Sequence, residues 1–518
     1  MTIKHKLISN TTYLFLNWFS ATVFSVIFWT ILGKTLLPSS YGTVSIFFQV
    51  ATLLSGISAF GLNSAITKLV PEFLERKQLD KVQGILSFSF KFVVTVSIVI
   101  AAIIIVFSNQ LAPLMNLRSD IVLLTAASVV IMSPTTLFDY VYYGFQNMKK
   151  QFITNFVGGL SKIAFAAAFV FFGMDYIGAS LALLLSYVVT LLTRLEKRIF
   201  RLSKHPIIDK KNIIKFSVPA FIIFVCSAIL NESQYIVLSA MKTTEVTGLM
   251  SIGMKIPSVI GVVPVIFFSA LTPIISGLSA AKHPKLRQSY LVKVVFRYNL
   301  FFIIPMSMFL ILFSKYAILL FAAAEYLSAT NLLVVLTIAT AVHGLCGFLL
   351  SNLYSIGQPK ISMVIQVISS VVYLLLSIPM TYYFSAMGMA IAYLLSNVAL
   401  FAMSFFYLKK YLAFEVPLSD IGRIAAGTAV SVALLLLAMP YIHNFIVAIV
   451  ASIIAGGVYM FTLLPLNFYI TEDVTVLGIL ADRVPIVKWP IRLARSIVAR
   501  FVNRSYKEAV FPEAKAHG

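Results

Sequence analysis

Charge is scarce in this chain. Only 11% of its 518 residues are Asp, Glu, Lys or Arg, where soluble domains run near ~25%. That shortage, beside 60% hydrophobic residues, excludes an ordinary water-soluble core. Disorder is excluded too, because disordered chains are polar and aromatic-poor and this one carries 43 phenylalanines. Two cysteines cannot build a disulfide scaffold or a four-cysteine zinc site. Acidic residues are few, 18 against 40 basic, for a net charge of +22. In a soluble protein that excess would point to nucleic acid; here the basic residues fall between apolar segments, so no nucleic-acid partner is expected. Catalytic signatures are missing as well. There is no H-E-x-x-H, C-x-x-C, G-x-G-x-x-G or P-loop sequence, and Gly56-Ile-Ser58-Ala-Phe60-Gly61 is one residue too long for a nucleophile elbow. Of six histidines only His343 lies well within an apolar segment. No cofactor or metal is expected, and a membrane-embedded polymerase or transferase is the distant alternative.

What the chain has is apolar runs, each about the ~17–25 residues that cross a bilayer. They predict fourteen transmembrane helices near 11–33, 42–66, 84–108, 120–144, 152–172, 176–193, 216–240, 246–272, 294–313, 328–354, 361–383, 387–408, 424–440 and 445–469. The first run is too long for a signal-peptide core. The fold class is therefore all-α, a polytopic membrane protein. Of the 40 Lys and Arg, 32 lie at the amino terminus, in the even-numbered gaps and in the tail. The odd-numbered gaps hold only Lys34, Arg118, Lys242 and Lys315. By the positive-inside rule both termini are expected on the cytoplasmic side of the cell membrane.

The chain also repeats itself. Gly178 to Val188 matches Gly388 to Val398 at six of eleven positions, at an offset of 210. Gly42-Thr-Val-Ser45-Ile46 matches Gly248-Leu-Met-Ser251-Ile252 at an offset of 206. Each match joins helix n to helix n+6, so the copies share one orientation, a parallel repeat. The expected organisation is a six-helix lobe over 1–193, a cytoplasmic linker over 194–215, and a second six-helix lobe over 216–410. Two additional helices over 411–470 and a basic amphipathic tail over 471–518 complete it.

Several stretches resemble the polysaccharide-biosynthesis flippases, which belong with the multidrug carriers and peptidoglycan lipid flippases in one exporter superfamily. These are Leu32-Gly-Lys-Thr-Leu-Leu-Pro38-Ser-Ser-Tyr41-Gly42-Thr; Phe60-Gly61-Leu-Asn63-Ser-Ala-Ile; Glu245 through Pro257; Tyr354-Ser-Ile-Gly357-Gln-Pro-Lys360; and Gly388 through Ser396. The resemblance implies two six-helix lobes around a central cavity, working by alternating access on a lipid-linked oligosaccharide. A multidrug-type, cation-coupled exporter is the alternative. Where relatives often carry Asp-Arg in the seventh span, this chain reads Asn231-Glu232-Ser-Gln234-Tyr235.

Polar groups inside the spans are the candidate site, because each costs at least ~2.5–3.5 kcal/mol at a helix centre unless it faces a cavity or a partner. Lys162 and Lys255 reach roughly mid-depth, and a phosphate- or pyrophosphate-bearing headgroup is the expected ligand. Arg297, Asn63, Asn155, Asn231 and Gln234 are candidate cavity residues. Glu232 first, and Asp139 second, are candidates to couple transport to H+ or Na+. Lys91, near the cytoplasmic edge, is expected to snorkel. The tail from Ile491 to Arg504 interleaves apolar and basic residues at helical spacing, as a helix lying on anionic membrane lipids does.

Overall fold

The computed structural model describes residues 3–195, 207–265, 271, 275, 284–412, 416–470, 473–474 and 488–500. The described residues are helical throughout, with no strand among them, as a bilayer requires of a chain that must satisfy its own backbone. In order the helices are α1 (Ile3–Thr35), α2 (Pro38–Ala59), α3 (Leu62–Glu75), α4 (Leu79–Val106), α5 (Ser108–Leu114), α6 (Ser119–Gly144), α7 (Met148–Phe171), α8 (Asp175–Arg194) and α9 (Lys210–Asn231). There follow α10 (Ser233–Met241), α11 (Thr244–Lys255), α12 (Pro284–Leu312), α13 (Ser314–Phe321), α14 (Thr330–Ser355), α15 (Pro359–Leu412), α16 (Leu418–Ala438), α17 (Phe445–Thr462) and α18 (Lys488–Arg500).

Thirteen described helices are long and apolar enough to cross a membrane. One of them, α15, runs 54 residues, far beyond one bilayer crossing at ~1.5 Å per residue. It bends at Ser385, whose φ of 55° and ψ of −137° are not helical, so it supplies two of the expected spans. Each of the fourteen expected segments thus overlaps a described helix, and the chain is a multi-pass membrane protein. Side chains such as Phe171, Leu375, Leu437 and Ile453, each more than two-thirds exposed, are the lipid-facing surface of such a protein.

Three expected spans are broken, and the one over 246–272 turns at Ile256 and Pro257, just after α11. The span expected over 42–66 ends at Phe60 and Gly61, both in the left-handed region with φ of 46° and 68°. Glycine is required at 61 on a second count, because a Cβ there would lie 2.1 Å from the Ser217 carbonyl oxygen. The span expected over 216–240 is interrupted at Glu232, which falls between α9 and α10. Helix starts carry polar caps: Asn147, Asp209, Thr243 and Asn444 each accept a backbone N–H three residues on, satisfying one orphan donor.

The helices group into two compact units. The first comprises residues 1–256, 318–336 and 363–396; the second comprises 257–317, 337–362 and 397–518. In the first, the apolar faces of α3, α4 and α6 close over Leu69, Phe90, Leu137 and Phe138. In the second, α16 and α17 pack on each other around Leu435 and Ala455. The linker residues 196–206 and the tail residues 475–487 and 501–518 lie outside the described residues.

Candidate functional site

In the first unit a cavity of about 230 Å³ opens between α1, α6, α7 and α8, lined by Asp139, Asn155, Lys162, Tyr187 and Arg194 among others. Two glycines make room for it. On α7 a Cβ at Gly158 would lie 2.0 Å from Thr190 Oγ1, and one at Gly159 would lie 2.1 Å from the Phe24 ring. Small residues at such crossings let membrane helices approach closely.

One wall of the cavity is a closed ionic network. Arg194, the last residue of α8, has no exposed surface and donates from Nη2 to Asp139 Oδ1 at 2.9 Å and from Nη1 to Asp139 Oδ2 at 3.2 Å. Its Nε donates to Thr154 Oγ1 at 3.2 Å, and the Thr135 carbonyl oxygen and Asn155 Oδ1 accept from its other edges. Asn155 in turn donates to Asp139 Oδ1 at 3.1 Å and to Asn17 Oδ1 at 3.0 Å. A fork-shaped guanidinium suits such planar pairing. Arg194 reads in sequence as the first charge of the basic linker; the structure makes it the partner of Asp139, a role that no local pattern signals.

Lys162 shares that cavity and is treated differently. Its neighbour is the face of Phe28, 5.3 Å from Nζ, and among the described residues no carboxylate or hydrogen-bond acceptor meets it. Among the described residues Lys162 thus has no counter-charge, beside an Arg194–Asp139 pair that has its own.

Lys255, at the end of α11, sits over the next ring along α1. Its Nζ lies 3.7 Å above Trp29 and 5.6–5.7 Å from Tyr235 and Tyr41. The Phe28 and Trp29 centroids are 5.2 Å apart, so neighbouring rings of one helix each carry one lysine. Lys255 Nζ also donates to Ser251 Oγ at 2.5 Å, and Ser251 shares a 2.8 Å hydrogen bond with Ser45. Here the two copies of the repeated motif meet. Ser45 and Ser251 are equivalent positions, and beside them a Cβ on Gly42 would lie 2.8 Å from Gly248 N and 1.8 Å from the Thr244 carbonyl oxygen.

Glu232 Oε2 is buried without a hydrogen-bond partner among the described residues. The amide groups beside it donate locally: Asn231 Nδ2 to the Ser227 carbonyl and Gln234 Nε2 to the Asn231 carbonyl, both at 2.8 Å. The acceptors Gln234 Oε1 and Asn63 Oδ1 are buried with no donor among the described residues. Arg297 belongs to the second unit. It is fully buried, stacked 3.9 Å over Phe468, 3.1 Å from Asp473 and 3.5 Å from Asp420, while Arg423 holds the other Asp420 oxygen at 2.9 Å. The structure thus brings Lys162, Asp139 and Asn155 to one cavity and places Arg297 in a separate ion cluster.

Residues 7–279, just over half the chain, match the family described as polysaccharide biosynthesis protein. The chain belongs to that family. Among related sequences is an uncharacterized membrane protein of Methanocaldococcus jannaschii, MJ1068, 22% identical over 441 residues, covering 80% of this chain and 86% of that one. Among solved structures, the lipid II flippase MurJ in an inward closed conformation is similar, with a TM-score of 0.68 at 16% identity, covering 87% of this chain and 98% of that one. An inward-facing multidrug resistance MATE family transporter of the MOP superfamily matches with a TM-score of 0.63 at 14% identity, covering 76% and 94%. At such identities the likeness is one of fold, and the family member has the fold that these transporters share.

Proposed function

We propose that this family member flips a lipid-linked saccharide across the cell membrane by alternating access, leaving the cargo chemically unchanged. The observation that carries the reading is Lys162, an ammonium with no carboxylate, facing a cavity inside membrane-spanning helices. An uncompensated charge in that setting is costly and marks a substrate path. The cavity is smaller than the ~300–1,000 Å³ that encloses a drug-sized ligand, so it suits a phosphate or pyrophosphate headgroup and leaves the glycan outside. The free positive charge disfavours the cationic compounds of a multidrug exporter. Membership of a polysaccharide biosynthesis family and the fold of a lipid II flippase support the same cargo class.

Repeated movement in one direction needs a driving force, and the chain has no nucleotide-binding motif. Glu232 supplies a route: it is a buried carboxylate with an unpartnered oxygen at the junction of α9 and α10, and acidic groups within membrane spans serve transporters as ion relays. H+ or Na+ is the coupling ion in this reading, with both termini cytoplasmic. The test is reconstitution in vesicles with a pyrophosphate-linked saccharide lipid, following its passage between leaflets. Protein-dependent passage that collapses when the ion gradient is dissipated is expected; passage indifferent to the protein would sink the reading.

A further inference from the structure

Lys255 of α11, which lies over the ring next to the one that carries Lys162, is held by defined neighbours. The Trp29 face, with Tyr41 and Tyr235 at its sides, forms an aromatic cradle for the Lys255 ammonium. The same ammonium donates to Ser251, which is bonded to Ser45 at the crossing of the two repeated motifs. Indole is the ring face that attracts a cation most strongly. Lysine is a compact, rotatable donor, suited to changing partners.

We propose that the cradle is a parking place: Lys255 rests on Trp29 while the site is empty, and a phosphate-bearing headgroup draws the ammonium away from it. Trp29 is then a positioning residue that keeps Lys255 aimed between cargo loads. The departure also removes the Lys255 hydrogen bond from Ser251, so loading the site and loosening the Ser45–Ser251 contact become one event. A ligand shifts a conformational equilibrium only through such differential contacts. This inference rests on the phosphate-bearing cargo proposed above.

The geometry offers a direct probe, because a lysine ammonium against an indole quenches its emission. In the full-length protein carrying Trp18→Phe and Trp489→Phe, Trp29 is the single tryptophan. Farnesyl pyrophosphate serves as the headgroup probe and farnesol as its phosphate-free control, with the thermal unfolding midpoint reporting binding independently. The expected result is a rise in Trp29 emission that saturates together with the rise in midpoint, with farnesol producing neither. In Lys255→Met the empty protein should already emit like the loaded one and respond no further. A midpoint that rises while Trp29 emission stays unchanged overturns the parking role and leaves the cargo class standing. A midpoint indifferent to farnesyl pyrophosphate overturns both. A second readout follows the crossing: with Cys226→Ala and Cys346→Ala, a Ser45→Cys/Ser251→Cys pair should oxidise readily when empty and several-fold more slowly with the probe bound. Equal oxidation rates contradict the linked loosening.

Discussion

Arg297 in the second unit and Lys162 in the first are both cations within membrane-spanning helices, and they are met in opposite ways. Arg297 has two carboxylates, a carbonyl and an aromatic face around it, and no exposed surface. Lys162 has an aromatic ring and a cavity. A buried cation with its counter-charges in place serves the architecture, and here it ties α12 to α16 and to the segment after α17. A cation whose counter-charge is missing leaves its desolvation unoffset, which is the ground for placing the proposed cargo phosphate there. Arg194 sharpens the contrast, since it lines the same cavity as Lys162 yet is closed off by Asp139.

The largest effect should come from breaking the paired side. Arg297→Met leaves Asp473 without an ion-pair partner and Asp420 with Arg423 alone, and should cost about 3–5 kcal/mol of stability, the range for an orphaned buried partner. Lower abundance and a depressed unfolding midpoint of the purified protein would register it. Arg194→Met, stranding Asp139 beside the cavity, should follow the same pattern. On the unpaired side, Lys162→Ala should leave abundance and midpoint unchanged while weakening cargo handling. A lost hydrogen bond to a charged group is worth ~1.5–3 kcal/mol, roughly ten- to hundredfold in transport at limiting cargo. If Lys162→Ala instead unfolds the protein with transport per molecule intact, the distinction between the two cations fails.

Much of this contrast was hidden in the linear sequence. The fourteen apolar segments announced the helices because hydrophobic length needs no tertiary knowledge, and the repeat marked Gly42, Ser45, Gly248 and Ser251 without showing that they meet where α2 and α11 cross. Intramembrane charge singled out Lys162, Lys255, Arg297, Asp139 and Glu232 alike. Which of them had partners was not legible, because Asp420 and Asp473 lie 123 and 176 residues from Arg297, and Arg194 looked like the start of a loop. Local breaks were equally hidden: nothing in the hydrophobic pattern marks Phe60 or Glu232 as the point where a helix stops, since those bends are set by packing against residues far along the chain.

Steric contact gives a smaller and independent check. Gly42→Ala places a methyl against the Thr244 carbonyl and Gly248, and overpacking of this kind costs about 1–3 kcal/mol. The unfolding midpoint should fall, and oxidation of a Ser45→Cys/Ser251→Cys pair should slow because the crossing is held apart. At the bottom of the scale stands Arg76, whose 2.8 Å pair with Glu72 is largely in solvent. Arg76→Ala should change stability by less than about 1 kcal/mol and leave transport alone. A large effect there would mean that pairing alone, without burial, governs these charges.

The central claim is that the lysines of the first unit, and not the arginine of the second, hold the cargo phosphate. Its most direct test is farnesyl pyrophosphate binding to purified wild-type protein and to Lys162→Ala, Lys255→Ala and Arg297→Lys, each confirmed as folded. The account predicts at least about tenfold weaker binding for each alanine variant, the loss of one charge-assisted contact, and wild-type binding for Arg297→Lys. Wild-type affinity in both alanine variants would contradict it.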